Sequence, residues 1–397
     1  MILLVPCLMG IGLGIFTGLV PGIHVNTVTI FLLSAMLPFE PMFLAVAVIS
    51  MAITHTFFDF IPSILLGAPD PETALAVLPG HRMLLKGLGV EAIYLTIVGG
   101  LLAVAFSVLT LPLIVLLIPF IYGNIHNYIH VALILILASM VWSERKKMWG
   151  LYIFALSGAL GLLTLNTALI PGRMALLPVF TGLFGISTMA ISLLNNKTIP
   201  RQKMTFGHVS FSDAFKATVK GVVSGVVVGT LPAVGSSQAA LLSYQFTKRA
   251  DARSFLISVG AINTVVAMFS LVSLYTISKA RSGAAVAVQA VLPNFRMAEL
   301  LILVASILVA AGLSSIFLLR FTKNIVKFIQ RLEYRKMTYL VIAFLVVFNF
   351  VMAGWLGLLV LFTSTCIGLL APLVGVKRTF GMGVLMVPTI LFYSGLV

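Results

Sequence analysis

Long apolar runs, separated by short polar or basic segments, fill this chain from one end to the other. About ten of them approach the roughly 20 residues that an α-helix needs to cross the hydrocarbon of a bilayer. Two cover residues 150–170 and 174–194, and about two more fit between Arg320–Lys336 and Lys377-Arg378. In lipid every backbone N–H and C=O must be bonded within the protein, and runs of this length satisfy that as helices. The predicted fold is therefore all-α, a polytopic membrane protein of about ten transmembrane segments, with residues 1–397 forming a single transmembrane domain. The first residues lack the basic start of a secretory signal and are expected to belong to the mature fold.

The densest basic segments are Glu144–Lys147, Lys197–Lys220 and Arg320–Lys336. Lys and Arg concentrate in cytoplasmic loops, so all three are placed in the cytoplasm. The uncharged N-terminus then falls outside, as does the end of the run Gly381–Leu396.

A glycine pattern recurs at one offset. Gly10, Gly14, Gly18 and Pro21 reappear as Gly221, Gly225, Gly229 and Pro232, each 211 positions on. Glycine at four-residue spacing also serves close packing of membrane helices, but the added prolines favour duplication. Repeat 1 covers about 1–195, a basic cytoplasmic connector about 195–220, and repeat 2 about 210–397. The first copy begins outside and the second begins in the cytoplasm, which is the arrangement of inverted-topology repeats.

Each copy then breaks. Gly18, Pro21 and Gly22 lead into the polar His24, Asn26 and Thr27, followed by an apolar piece too short for a full span. Gly229, Pro232, Gly235, Ser236, Ser237 and Gln238 repeat the pattern before Lys248-Arg249. Proline removes a donor, and backbone groups freed at membrane depth need protein, water or a ligand. Both read as re-entrant hairpins. A second interruption runs from Ser63 to Gly80 in the first half and from Ser278 past Lys279 and Arg281 in the second. Half-helix N-termini inside a membrane suit an anion, and Lys279 with Arg281 could clamp a carboxylate or phosphate or could instead snorkel to water.

Asp59 lies deep in the apolar run Phe57–Ile61, with His55 one turn before it on the same face. Ionisable groups inside a membrane usually mark an ion or substrate path, so the two are candidates for proton coupling; a pair that fixes helix packing is the alternative. His24 can titrate in the physiological range. The neutral polar groups at the breaks suit a carboxylate or a sodium ion, or cap the half-helices.

Composition agrees with a lipid solvent: 60% of residues are hydrophobic and 9% charged, with a mean hydropathy of +1.17. The net charge of +15 is explained by basic loops at span ends, so no nucleic-acid partner is expected. Cys7 and Cys366 have no metal-ligand spacing around them, and a metal site is not expected. The hydrolase and ATP-binding motifs His-Glu-x-x-His, Gly-x-Ser-x-Gly and Gly-x-x-x-x-Gly-Lys are absent, which argues against an enzyme. No cofactor is called for, with a sodium ion left open.

Four motifs carry a family resemblance: Gly-x-x-Pro-Gly-Ile-His-x-Asn at 18–26, Ser-Ile-Leu-Leu-x-x-Pro at 63–69, Gly-Thr-Leu-Pro at 229–232 and Gly-Val-Lys-Arg-Thr-Phe-Gly-Met-Gly-Val-Leu at 375–385. With these the chain resembles TctA, the large membrane subunit of tripartite tricarboxylate transporters, and most of all its shorter archaeal branch. The resemblance implies uptake of a di- or tricarboxylate driven by an ion gradient across the cell membrane. It also implies a small membrane subunit and an extracytoplasmic binding protein as partners, and analogy with related transporters suggests a homodimer. The alternative from the residues is a translocase for a lipid-linked phosphate such as a polyprenyl phosphate, which inverted hairpins would also suit.

Overall fold

The computed structural model describes residues 3–20, 25, 28–29, 32, 39–66, 73, 77–125, 128–165, 167, 172–194, 200–230, 236, 239–240, 251–331 and 333–396. Among these every regular element is helical. In chain order they are α1 (Leu4–Leu19), α2 (Pro41–Phe58), α3 (Val77–Leu85), α4 (Gly89–Ile125), α5 (Ile129–Trp142), α6 (Lys147–Leu165), α7 (Gly172–Phe180), α8 (Ser187–Leu194), α9 (Phe211–Thr230), α10 (Ala252–Ile277), α11 (Gly283–Val291), α12 (Met297–Arg331), α13 (Tyr334–Val374) and α14 (Gly383–Tyr393). Turns of π-helix extend α2 over Pro62–Leu66 and join α7 to α8 over Thr181–Ile186.

Among the described residues six helical stretches are long and apolar enough to cross a membrane, against about ten expected from the sequence: Pro41–Leu66, Gly89–Asn124, Lys147–Leu165, Ala252–Ile277, Met297–Phe328 and Thr338–Val374. Four further apolar helices, Leu4–Leu19, Ile129–Trp142, Ala175–Ile191 and Arg378–Tyr393, are shorter. One reason for the difference lies in α13. Its 41 residues are two helices meeting at Gly354, whose φ of 65° and ψ of −160° suit only glycine. Two expected passes therefore read as one run.

Burial sorts the helices into an inner and an outer set. The apolar window of the α2 stretch is 100% buried and that of α10 83%, against 28% for α13. Outer helices expose large apolar side chains such as Leu109, Leu116, Trp355 and Phe362, the surface a protein presents to lipid rather than water.

The inner set is assembled through small residues. A Cβ at Gly14 would stand 2.6 Å from the Met51 carbonyl oxygen and from Thr54 Cβ, and one at Gly18 2.6 Å from Phe58 Cβ. In the second half, Gly221 abuts Ser258 and Ala261, Gly225 abuts Val265, and Gly229 lies nearest Phe269 and Val266. Ala47, Ser50, Thr54, His55 and Phe58 become Ser258, Ala261, Val265, Val266 and Phe269 at the same offset of 211. The α1–α2 contact and the α9–α10 contact thus use equivalent positions on both partners. Across the halves, α10 packs on α4 and α12 packs on α2. Gly99 faces the Ile257 carbonyl and Gly260 faces the Thr96 carbonyl, each too close to admit a side chain.

The connector ties one edge together. Lys203 N–H donates to the Gly87 carbonyl at 2.8 Å. The Gln202 amide accepts from Gly89 N–H and donates to the Leu84 carbonyl, both at 2.8 Å. Gln330 near the end of α12 donates to the Pro200 carbonyl at 3.3 Å. At the start of α10, Arg253 pairs with the buried Glu91 at the start of α4, Nε to Oε1 2.6 Å. Another basic group gathers elsewhere. Lys377 N–H donates to Glu144, Lys377 Nζ donates to Ser143 Oγ at 2.9 Å, and Lys146 Nζ donates to the Val374 carbonyl at 2.6 Å.

Gly99→Ala should destabilise the protein by about 1–3 kcal/mol, because the methyl is forced into a backbone carbonyl. Gly12→Ala, where a Cβ meets nothing within 4 Å, should be neutral or stabilise by about 0.5–1 kcal/mol. Thermal unfolding of the two variants in one detergent checks both.

Candidate functional site

The interior of α2 is apolar in composition yet carries buried polar groups along its length, and α1, α10 and α12 each supply partners to them. His55 Nδ1 lies 3.1 Å from Thr17 Oγ1 on α1. Ser314 Oγ on α12 donates to Thr54 Oγ1 at 3.0 Å. On α10, the Asn263 amide donates to Asp59 Oδ2 at 2.8 Å and reaches the Thr56 carbonyl at 3.4 Å, while Thr264 Oγ1 lies 3.3 Å from Thr56 Oγ1. Asp59 is 1% exposed and His55 4%. A carboxylate this deep is expensive unless it is hydrogen-bonded, and its described donor comes from the other half of the chain.

Below Asp59 the helix loosens. Pro62 cannot donate the hydrogen bond that residue 62 would make to residue 58, and the chain takes π-helical geometry over Pro62–Leu66, a form found mostly as short inserts at functional sites. Ser63 Oγ turns back to the Asp59 carbonyl at 2.7 Å and is also hydrogen-bonded to Thr73, a buried residue of the first-half interruption.

The second-half interruption is built differently. α10 ends at Ser278, whose φ of 53° is the one positive value at a non-glycine among the described residues. Ser282 caps α11, its Oγ accepting from Ala285 N–H at 3.2 Å. Ser270 bonds both to the Ser282 hydroxyl at 3.0 Å and to Arg281 N–H at 3.2 Å. Ser270 stands 211 positions after Asp59, so the same position of each half anchors its own interruption. Arg281 lies half-buried over the Tyr122 ring, 5.3 Å from its centroid, and also reaches Tyr393. Lys279 is exposed.

Of the residues expected at the first breaks, Pro21, Gly22, His24, Asn26, Thr27, Pro232, Gly235, Ser237 and Gln238 lie outside the described residues. Gly18 and Gly229 are described, and their contacts are with α2 and α10. Ser236 is buried, and neither its hydroxyl nor that of buried Thr29 meets a partner among the described residues. Sequence reasoning missed Thr17, Thr56, Asn263, Thr264, Ser270, Ser282, Tyr122 and Tyr393. Asn263 was findable by the rule that found Asp59, a polar side chain within an apolar run. The tyrosines carried no such signal.

These features define a class: a multi-pass helical membrane protein with buried polar groups between its inner helices. The profile of the Tripartite tricarboxylate transporter TctA family matches residues 4–383. The chain is also 31% identical over 402 residues to an uncharacterized protein of Methanocaldococcus jannaschii, an alignment covering 97% of this chain and 98% of the relative. No solved structure matches it. The chain therefore belongs to the TctA family, as its motifs indicated, and is a component of a transporter, not an enzyme.

Asn263→Leu removes a described donor to Asp59 Oδ2 within the buried interior. It should cost about 1–3 kcal/mol, read as a lower unfolding temperature in detergent. The double variant Asn263→Leu, Asp59→Leu should recover part of that loss.

Proposed function

We propose that this chain is the membrane-spanning subunit of a secondary transporter that takes up an anionic solute, a di- or tricarboxylate, on a sodium or proton gradient. It lies in the cell membrane, its N-terminus outside and its connector, about 195–220, in the cytoplasm. Repeat 1, about 1–195, and repeat 2, about 210–397, form one domain and cross the membrane in opposite senses. A small membrane subunit and an extracytoplasmic binding protein complete the system, and the coupling ion is its only other requirement.

The observation that carries this reading is the crossing of α2 and α10, equivalent helices of the two halves, at a buried carboxylate that one half bears and the other half bonds. Opposed orientation is supported at the connector edge. α4 begins there and α12 ends there; α10 begins there through Arg253 and Glu91. The α2 stretch ends there, since a Cβ at Gly89 would lie 3.5 Å from Leu65 Cδ2. Equivalent helices meeting one edge with opposite ends is what inversion requires. Membership of the TctA family supports the carboxylate. The hydroxyls of Thr29 and Ser236, each following a break in the sequence pattern, meet no partner among the described residues and support this reading as donors for a ligand. Asp59, with His55 one turn away, is the coupling candidate: only an ionisable or cation-binding group links transport to a gradient.

Thermal stabilisation of the purified chain tests this against di- and tricarboxylates, with and without sodium at two pH values, beside short-chain polyprenyl phosphates. A carboxylate-specific shift that depends on sodium or pH is expected, growing as ligand exceeds its Kd; a shift with the lipid phosphate alone would sink the substrate reading. Asp59→Asn should abolish the ion dependence and leave carboxylate binding in place. Asn26→Ala should abolish uptake by proteoliposomes while the protein still inserts.

A further inference from the structure

Among the described residues, the guanidinium at the break between α10 and α11 meets no anion. Nε and Nη2 of Arg281 are both buried, and neither has a hydrogen-bond acceptor among those residues. These two nitrogens form one edge of the guanidinium, the fork whose parallel N–H groups match the two oxygens of a carboxylate. Its neighbours are aromatic instead: Tyr122 near the end of α4 and Tyr393 at the end of α14. Burying a cation without a counter-charge is strongly unfavourable, and ring faces compensate only part of it.

The surroundings are pre-set for an anion. Ser270 fixes the backbone on either side of the guanidinium by bonding Arg281 N–H and the Ser282 hydroxyl. α11, nine residues long, starts two residues after Arg281, so its positive end adds to the same field. Lys279, being exposed, takes no part, which separates the two cations that the sequence alone had left together.

We propose that Arg281 is a carboxylate-binding position at the α10–α11 break, and that Tyr122 and Tyr393 cover its fork while it is empty. A carboxylate enters by displacing the rings from the Nε–Nη2 edge and takes both donors at once. The proposal rests on the carboxylate-transport reading and names the contact that recognises the substrate. An inorganic phosphate or a phosphate headgroup presents similar oxygens, so the test must separate them.

The experiment is a thermal-shift titration of the full chain in detergent with acetate, succinate, citrate, inorganic phosphate and a short-chain polyprenyl phosphate. Arg281→Lys keeps the charge and loses the fork; it should weaken the best carboxylate by roughly ten- to a hundredfold while its unliganded melting stays near that of the parent. Arg296→Gln, an exposed cation outside the site, should titrate like the parent. The proposal is overturned if Arg281→Lys binds as the parent does, if only a phosphate stabilises the parent, or if no carboxylate does. Uptake of radiolabelled citrate by proteoliposomes that hold the chain with its small membrane subunit, and are supplied with the binding protein, separates the two levels. Uptake that Arg281→Lys leaves unchanged removes this site and keeps the transport reading; absence of uptake in the parent for every carboxylate tried removes both.

Discussion

Close backbone approach at small residues is the constraint on which the rest of this structure depends. In lipid no hydrophobic force drives helices together, so packing and polar contacts must do so. Gly99 against Ile257 and Gly260 against Thr96 bring α4 and α10 to backbone contact, and Gly100 lets Phe57 and Thr264 approach it. Gly10, Gly14 and Gly18 do the same for α1 and α2. Only at these separations can Asn263 reach Asp59, and Thr17 reach His55, with short side chains. Bulkier residues at the crossings would leave the same polar groups apart in an apolar medium.

The polar contacts in turn make the two halves interdependent. Asp59 is buried and accepts a hydrogen bond from the other half, so a sliding of α10 along α2 would break that bond within an apolar interior. Movement of the halves is thereby linked to the surroundings of an ionisable group. The two interruptions add a complementary asymmetry. Among the described residues, Ser63 and Thr73 place neutral hydroxyls at the first, whereas the second presents a guanidinium.

Much of this was legible before any coordinates. The offset of 211 positions, read from four residue pairs, locates the equivalent crossings, because glycine spacing reports directly which face of a helix admits a neighbour. Asp59 stood out because a charge in an apolar run has few bland explanations. The span count was less legible. The 41 residues of α13 are two helices meeting at Gly354, whose φ of 65° interrupts the helical dihedrals, and no periodicity encodes a single dihedral. Partners contributed from distant segments were not legible at all: Tyr122 and Tyr393 look like ordinary interfacial aromatics until the fold sets them beside Arg281. The residues of the first breaks, His24 and Asn26 among them, rest on sequence and family resemblance.

The central claim is that the halves cross the membrane in opposite senses, and cysteine accessibility in right-side-out vesicles tests it most directly. Lys86 and Asn294, both exposed, precede the equivalent helices α4 and α12. In a background lacking Cys7 and Cys366, Asn294→Cys should react with an impermeant maleimide from outside, and Lys86→Cys only after the vesicles are opened. Labelling of both from the same side would contradict the inverted arrangement and the transport mechanism built on it.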